Sequence, residues 1–412
     1  FRVVGCDIEG AYRGLYLQGN STVGDTSIRL NSSRAMYGID VTGSNVNISN
    51  VPIQNPRAAN SYRALEIPIG IQITGDKALI QNTDISGFWN SNYGTNGNGY
   101  CVAGIGSNIT VDGGNHDTAL TAVTFVSGSN YTASNLNIIN CDGGIRAQGP
   151  GTLIANCNIV GEDPSASVPG ARYGVEADAN NVTVTGCRIV SSRTTFSGGD
   201  TPIAIWARAE YLNATNNIIR GWRDVGNTTG YGFYCEDSPS GHFVFTGNTV
   251  ETCYTGFSLT VAALASQVTV ANNEFRDLDQ EGIITVGSNN VSITDNLLID
   301  VGTANAIYVA YGTDIEITGN TIDGAATTDS GITLTGTDGP ATRTRRFVVS
   351  NNTIRAFTGR GISVIDYVQN GVISGNHIDG FIAAAPTDYS SIACVVIEGL
   401  SSGNIPKYIE FT

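Results

Sequence analysis

Two carboxylate side chains stand two residues apart in the segment YGVEADANNVTVTGC, which occupies residues 173–187. Its alternation of apolar and polar residues predicts a strand, in which residues i and i+2 point to the same face. Glu176 and Asp178 should therefore lie side by side, with Cα atoms about 6.5–7 Å apart, opposite Val175 and Ala177. Glycoside hydrolysis uses paired carboxyl groups, separated by about 5–5.5 Å for retention or about 6.5–9.5 Å for inversion.

Equivalent positions in neighbouring segments supply the rest of a candidate site. Aromatic rings suit stacking on sugar faces, and arginine forks suit acidic groups. The predicted catalytic residues are Glu176, Asp178, Glu236 and Arg208, and the predicted substrate-binding residues are Arg146, Trp206 and Tyr234. Glu236 is expected about 10 Å from Asp178, so that either carboxylate pair could flank a water molecule. In a lyase, Arg208 or Arg146 would instead neutralise a carboxylate of the substrate.

The same charges also have a purely structural interpretation. Outward strand positions are expected to be solvated, and Glu176, Arg208 and Glu236 could form cross-strand ion pairs that contribute well under about 1 kcal/mol each. The two aromatic side chains favour a function, because exposed rings are not needed for solubility.

The elements that position these residues belong to a repeat. Seven segments share alternating apolar residues followed by a small residue, a turn residue and then Asn or Cys: VTVTGCRIV (182–190), FVFTGNTVE (243–251), VTVANNEFR (268–276), VSITDNLLI (291–299), IEITGNTID (315–323), FVVSNNTIR (347–355) and GVISGNHID (371–379). A strand opened by Gly or Ala follows, as in RGLYL (13–17) and GGIRA (143–147). Its first outward position reads Tyr16, Asp40, Gln72, Thr124, Arg146 and Glu176. The first residues of these strands mostly recur about every 24 to 30 residues, a period typical of solenoids.

One turn position of the repeat is filled by asparagine. The residues at this position are Asn217, Asn248, Asn273, Asn296, Asn320, Asn352 and Asn376, and Cys157 and Cys187 take the same place earlier. Stacked Asn side chains should hydrogen-bond along the stack and to the bent backbone. A coil spacing of about 4.8 Å would admit a disulfide between the two cysteines. Buried thiols that act as small apolar fillers are the favoured interpretation.

These repeats resemble those of right-handed parallel β-helix proteins of the pectate-lyase-like superfamily over essentially the whole chain. The resemblance implies an all-β fold, a single-stranded right-handed parallel β-helix of about 14–15 coils that enclose one core. Members of the superfamily include polysaccharide lyases, epimerases, glycoside hydrolases and bacteriophage tailspike depolymerases. Tailspikes are usually trimers, so the resemblance also implies a homotrimer.

The repeats run without a linker, which predicts a single domain over residues 1–412. Coils are expected over 1–392, and a last strand with a C-terminal cap over 393–412. The first residues, RVVGCDIEG (2–10), match the middle of a coil. Because an uncovered coil would leave a bare sheet edge, a native N-terminal portion is expected to be missing from this sequence.

Composition argues against several functional classes. The net charge is −15, from 36 acidic against 21 basic residues, and a nucleic-acid partner would need a basic face. The sequence contains no apolar run of about 18 residues or more, so a membrane-spanning segment is not predicted. Eight scattered Cys and three His predict neither a metal site nor a cofactor. The turn acids Asp277, Asp279 and Glu281 leave Ca²⁺ as an alternative.

The predicted partner is a polysaccharide. The protein itself is predicted to be extracellular or on a virion surface. The favoured function is binding and cleavage of a bacterial surface or extracellular polysaccharide by a tailspike-like depolymerase with paired carboxylates on its outer sheet face. A secreted polysaccharide lyase or epimerase is one alternative, and a non-catalytic adhesin or structural surface β-helix is another. Whether the protein is an enzyme stays open at this stage, because a fold does not decide a reaction.

Overall fold

The computed structural model contains strands and turns, and no helix occurs in the residues that it describes. These residues are 1–10, 12–30, 36–55, 67–89, 99–161, 172–192, 201–226, 228–236, 241–260, 267–324, 328–339, 342–379, 393–399 and 406–412, without the side chains of Glu236 and Ala393. The chain divides into two compact units, Phe1–Trp206 (unit 1) and Ala207–Thr412 (unit 2). The single domain and the C-terminal cap stay predictions.

The strands of unit 1 are short, and their bounds follow in chain order. They are β1 (Arg2–Val4), β2 (Asp7–Glu9), β3 (Arg13–Leu17), β4 (Thr22–Gly24), β5 (Ser27–Arg29), β6 (Tyr37–Val41), β7 (Val46–Ser49), β8 (Ile53–Gln54), β9 (Ile69–Ile73), β10 (Ala78–Gln81), β11 (Ile85–Phe88), β12 (Tyr100–Gly104), β13 (Thr110–Asp112), β14 (Asn115–Ala119), β15 (Thr121–Phe125), β16 (Thr132–Ser134), β17 (Asn137–Ile139), β18 (Gly143–Ala147), β19 (Leu153–Ala155), β20 (Asn158–Gly161), β21 (Tyr173–Ala177), β22 (Val182–Thr185), β23 (Arg188–Ser191) and β24 (Ile203–Ala207).

The strands of unit 2 continue the numbering. They are β25 (Tyr211–Thr215), β26 (Ile218–Arg220), β27 (Tyr231–Glu236), β28 (His242–Thr246), β29 (Thr249–Glu251), β30 (Thr255–Thr260), β31 (Gln267–Ala271), β32 (Glu274–Leu278), β33 (Ile283–Val286), β34 (Asn289–Thr294), β35 (Leu297–Val301), β36 (Asn305–Ala310), β37 (Thr313–Thr318), β38 (Thr321–Asp323), β39 (Ser330–Thr335), β40 (Thr344–Ser350), β41 (Thr353–Arg355), β42 (Arg360–Ile365), β43 (Val368–Ser374), β44 (His377–Asp379), β45 (Ala393–Glu398) and β46 (Lys407–Phe411).

Successive strands pass through three sheets in a fixed order. Within unit 1, sheet A contains β1 and every third strand after it, sheet B starts from β2, and sheet C starts from β3; unit 2 repeats this order from β25, β26 and β27. The first coil pairs with the second in parallel register, for example Arg13 with Tyr37 in sheet C. Each coil therefore returns to the sheet where it began, and the predicted all-β parallel β-helix is confirmed.

Side chains that point inward form the core. Alternation along each strand buries residues such as Ile48, Ile80 and Val111, which align in sheet A. The core of unit 2 also contains a cluster of phenylalanine rings, in which Phe233 and Phe257 stack 4.6 Å apart. Burial of these β-branched and aromatic side chains is the main stabilising term of the coils.

The asparagine ladder is present in unit 2 as predicted. Asn273 donates from Nδ2 to Asn296 Oδ1 at 3.0 Å and to the Phe245 carbonyl at 2.7 Å, while its own Oδ1 accepts the Asn248 amide at 2.9 Å. The residue before each ladder Asn takes the left-handed conformation, for example Asn272 with φ 55°. The side chain of each ladder Asn therefore satisfies buried backbone groups at the turn.

The earlier cysteines follow the same stacking. Cys157 and Cys187 are buried as thiols, and the Cys157 amide lies 3.5 Å from Cys187 Sγ. Their thiols fill the position that Asn takes in unit 2, in agreement with the favoured interpretation.

Glycine opens the strands of sheet C because the corner is crowded. A Cβ on Gly256 would lie 2.5 Å from Phe275 Cδ1, in the side chain of the adjoining sheet B strand. The same steric conflict explains the Gly that stands second in most sheet C strands.

Candidate functional site

Neighbouring strands of sheet C in unit 1 bring three predicted residues together. Arg146 on β18 pairs in register with Glu176 on β21, and Asp178 follows two residues later. The parallel register continues upstream from Arg146 to Thr124. The predicted outward column is therefore confirmed here, with one correction: Ala103 stands between Gln72 and Thr124.

Arg146 binds both carboxylates at once. Its Nε lies 3.0 Å from Glu176 Oε2 and 3.0 Å from Asp178 Oδ2, and its Nη2 donates to the same Asp178 oxygen at 2.7 Å. Gln148 Nε2 is a further donor to Asp178 Oδ2, at 3.2 Å. Because Glu176 Oε2 and Asp178 Oδ2 both lie 3.0 Å from Arg146 Nε, these two oxygens are at most about 6 Å apart, and the two carboxyl groups are close neighbours.

The acids are less accessible than the sequence suggested. The side chains of Glu176 and Asp178 are only 4% and 14% exposed, whereas that of Arg146 is 34% exposed. The expectation that outward positions are solvated is therefore wrong at Glu176. The sequence alternation identifies the face of the strand, but not the side chains from neighbouring strands that cover it.

The charges at this cluster reinforce one another. Burial alone would lower the pKa of Arg146, but hydrogen bonds to Asp178 and the charges of Glu176 and Asp178 outweigh it, so the pKa of Arg146 is raised. Arg146 is thus a permanent cation that contacts both carboxyl groups. Carboxylates held in such an ion pair are suited to act as a base or nucleophile.

Tyr173 is a member of the site that the sequence analysis missed. Its ring occupies the space over Gly143, where any Cβ would clash with it. Its hydroxyl lies 3.0 Å from Thr121 Oγ1, two strands away in sheet C. Burial is the main cause that raises the pKa of Tyr173, so the phenol stays protonated. The one available signal was the Gly-Gly pair at 143–144, which leaves room for a large neighbour.

The remaining predicted residues are placed as follows. Trp206 lies half-buried on β24 at the end of unit 1, while Arg208 in unit 2 is exposed. Tyr234 lies half-buried on β27, where its ring centroid is 4.4 Å from that of Tyr231. Glu236 is the last residue of β27, and its side chain lies outside the described residues. That these four residues join Glu176 and Asp178 in one patch stays a prediction.

The Ca²⁺ alternative gains no support from the turn acids. Arg223 Nη1 lies 2.8 Å from Asp279 Oδ1, so a cation already occupies that side of the carboxylate. Burial raises the pKa of Glu281, which opposes the charged form that Ca²⁺ needs. No cluster of three His, Cys, Asp or Glu side chains suited to a metal occurs in the ranges that the structure describes. These ranges also contain no helix long and apolar enough to span a membrane.

A family model matches most of the chain. The model described as right handed beta helix region matches over residues 121–298, 209–342 and 261–399. A search of curated proteins gave no match.

The solved structures that are similar to this chain in backbone have very different sequences. The Dettilon tailspike protein is 11% identical, with 91% of this chain and 61% of that chain covered and a TM-score of 0.47. A mutant tailspike protein of E. coli bacteriophage HK620, solved with a pentasaccharide, is 10% identical, with 97% and 58% covered and a TM-score of 0.40. The mannuronan C-5 epimerase A-module of Azotobacter vinelandii is 13% identical, with 99% and 91% covered and a TM-score of 0.37. The chain therefore spans less than two thirds of the length of either tailspike.

Proposed function

The chain belongs to the right-handed β-helix family, and from this premise we propose that sheet C of unit 1 binds an extracellular polysaccharide and cleaves it by hydrolysis. The observation that carries the proposal is the shared contact of Arg146 with Glu176 and Asp178. Two carboxyl groups and a guanidinium that is partly exposed offer acceptors and donors at fixed positions, as the hydroxyl groups of a sugar require.

The roles differ because accessibility differs. Asp178 is the more exposed acid and is the proposed base or nucleophile. Glu176, at 4% exposure, holds Arg146 in place and acts as a positioning residue. The proton donor must be another carboxyl group, and Glu236 and Arg208 remain catalytic candidates on sequence grounds alone. Trp206 and Tyr234 remain candidate stacking rings on the same grounds.

The proposed location of the protein is outside the cell or on a virion surface, where it would contact bacterial polysaccharide. The homotrimer is a proposal that rests on the resemblance of the repeats to tailspikes. Sedimentation equilibrium of the purified chain tests it directly: a mass near three chains supports a trimer, and a mass of one chain overturns it.

A depolymerisation screen tests the function. The protein is incubated with capsular, O-antigen and algal polysaccharides, and reducing ends are followed together with the ultraviolet absorbance of new double bonds. For hydrolysis we expect reducing ends without absorbance, and a loss of rate of about 100-fold or more in Asp178→Asn. Asp314→Asn is the matched control, because it breaks another Arg–Asp pair, with Arg346, in sheet A of unit 2.

Each alternative function has its own outcome in this screen. Reducing ends with new absorbance would mean elimination and would favour a polysaccharide lyase. Binding without any new ends would favour an adhesin. If Asp178→Asn cleaves as fast as Asp314→Asn, the assignment of the base or nucleophile is wrong.

A further inference from the structure

A second group of aromatic and charged side chains lies on sheet C at the first two coils. The guanidinium carbon of Arg13 is 4.9 Å from the centre of the Tyr16 ring and 5.4 Å from that of Tyr37. Arg13 Nη2 also pairs with Asp40 Oδ2 at 3.2 Å. One cation is thus held between two rings and a carboxylate, at a place that the proposed cleavage does not use.

The Tyr16 ring is both exposed and fixed. Tyr16 keeps 46% of its surface open to solvent. Its hydroxyl accepts hydrogen bonds from Thr42 Oγ1 at 3.1 Å and Gln18 Nε2 at 3.2 Å, while Arg13 packs on the ring. A ring that is already ordered loses little conformational entropy when a ligand stacks on it. Tyr12, which is 48% exposed, adds a second open aromatic side chain next to Arg13 in the chain.

The charges of this group indicate which ligand it suits. Arg13 and Asp40 neutralise each other, so the group presents donors and acceptors without a net charge. The whole chain carries a net charge of −15, which repels polyanions at long range. Aromatic stacking combined with balanced polar groups therefore favours a neutral sugar ring over a sugar acid.

Sheet C connects this group to the Arg146 cluster. The register runs without interruption from Tyr16 through Asp40, Gln72, Ala103, Thr124 and Arg146 to Glu176. Six strand spacings of about 4.8 Å place Tyr16 roughly 29 Å from Glu176, so one extended chain of several sugars could reach both.

We propose that Tyr16, Arg13 and Asp40 form an anchoring site for a neutral sugar ring, which holds a neutral polysaccharide along sheet C of unit 1. This inference rests on the proposed binding of polysaccharide by sheet C, and it adds the chemical class of the polymer and the position of its second contact. Anchoring at two sites raises the affinity for long chains through effective concentration.

Affinity electrophoresis in native gels tests the proposal. The gels contain dextran, galactomannan or a neutral O-antigen polysaccharide, with alginate and polygalacturonate as anionic comparisons. We expect a neutral polymer to retard the wild type, Tyr16→Ala to bind about ten-fold more weakly, and Tyr16→Phe, which keeps the ring, to bind nearly as well as the wild type. Tyr211→Ala is the matched control, because Tyr211 is 41% exposed but lies in sheet A of unit 2.

The outcomes separate this inference from the proposed function. If Arg146→Met weakens retardation and Tyr16→Ala does not, the anchoring site is wrong and the Arg146 site stands. If Tyr16→Ala weakens it and Arg146→Met does not, the anchoring site stands and the Arg146 site is wrong. No retardation by any neutral polymer, or retardation by the polyanions alone, overturns the inference. Unchanged thermal melting of Tyr16→Ala confirms that a loss of binding is not a loss of fold.

Discussion

Arg146 and Asp178 form a two-pronged ion pair across adjacent strands, with Nε 3.0 Å and Nη2 2.7 Å from the same carboxylate oxygen. The same arginine is the cation next to the buried carboxylate of Glu176. Loss of one partner from a buried pair leaves an uncompensated charge, which costs far more than a surface pair contributes. The stability of unit 1 should therefore depend on Arg146.

We expect Arg146→Met to lower the free energy of unfolding by about 2–3 kcal/mol, a figure already reduced for the partial exposure of the guanidinium. Urea unfolding followed by circular dichroism measures this. Arg346→Met is the matched control: Arg346 also contacts Asp314 with two nitrogens, but both side chains are well exposed, and the loss of stability should be much smaller than in Arg146→Met. Equal losses in the two variants would show that the burial of Glu176 has no energetic consequence.

Gly143→Ala should disturb the site without removing any of its polar groups. The added methyl group would displace the Tyr173 ring and weaken its contact with Thr121. We therefore expect the free energy of unfolding to fall by about 1–3 kcal/mol. Gly24→Ala is the control in the same unit, because a Cβ there meets only ordinary contacts with Ser49, the nearest at 3.5 Å. Thermal melting of the two variants compares them, and an equal change in both would contradict the assigned role of Gly143.

The sequence predicted the fold and the columns because both follow from periodicity. Alternating apolar residues give the strand face, and Gly or Ala marks the start of most sheet C strands. The predicted outward column missed Ala103 because Cys101 stands where most other repeats have Gly or Ala. The asparagine ladder was predictable for the same reason, since its members recur at one turn position.

The contacts between columns were not predictable from periodicity. The burial of Glu176 depends on the side chains that cover it, and the pairing of Arg13 with Asp40 depends on how far one side chain reaches across a strand spacing. Arg13 also precedes the Gly of its strand and therefore lies outside the repeating Gly-h-x-h-x pattern, where h is apolar and x points outward. Side-chain rotamers and neighbours from distant parts of the chain decide such contacts.

Asn273→Ala should destabilise unit 2 more than the same change at the end of the ladder. The substitution would leave the Phe245 carbonyl and the Asn248 amide, both buried, without their side-chain partners. We therefore expect the free energy of unfolding to fall by about 3 kcal/mol. Asn376→Ala is the comparison, because Asn376 is only half-buried and water can replace part of its bonding; about 1 kcal/mol is expected. Urea midpoints of the two variants measure the difference, and a larger effect at Asn376 would be inconsistent with the ladder as a buried network.

His116 should make the protein less stable in mild acid. Its side chain is fully buried between Ile85 and Ile138 in sheet B, and neither ring nitrogen has a hydrogen-bond partner in the described structure. Burial lowers its pKa to about 4, although the charge of Asp84 acts in the opposite direction. Because the unfolded chain takes up the proton near pH 6.5 and the folded chain only near pH 4, stability is complete above pH 6.5 and falls by roughly 3 kcal/mol on acidification to pH 4.

The pH dependence separates this histidine from the carboxyl groups that also titrate in acid. Urea midpoints are measured between pH 8 and pH 4.5 for the wild type, His116→Ile and His377→Gln, the last of which changes an exposed histidine. We expect His116→Ile to lose less stability than the wild type between pH 6.5 and pH 4.5, because Ile fits the column of Ile85 and Ile138 and binds no proton. His377→Gln should follow the wild type. Parallel curves for all three proteins would mean that His116 is not the group whose protonation opposes folding.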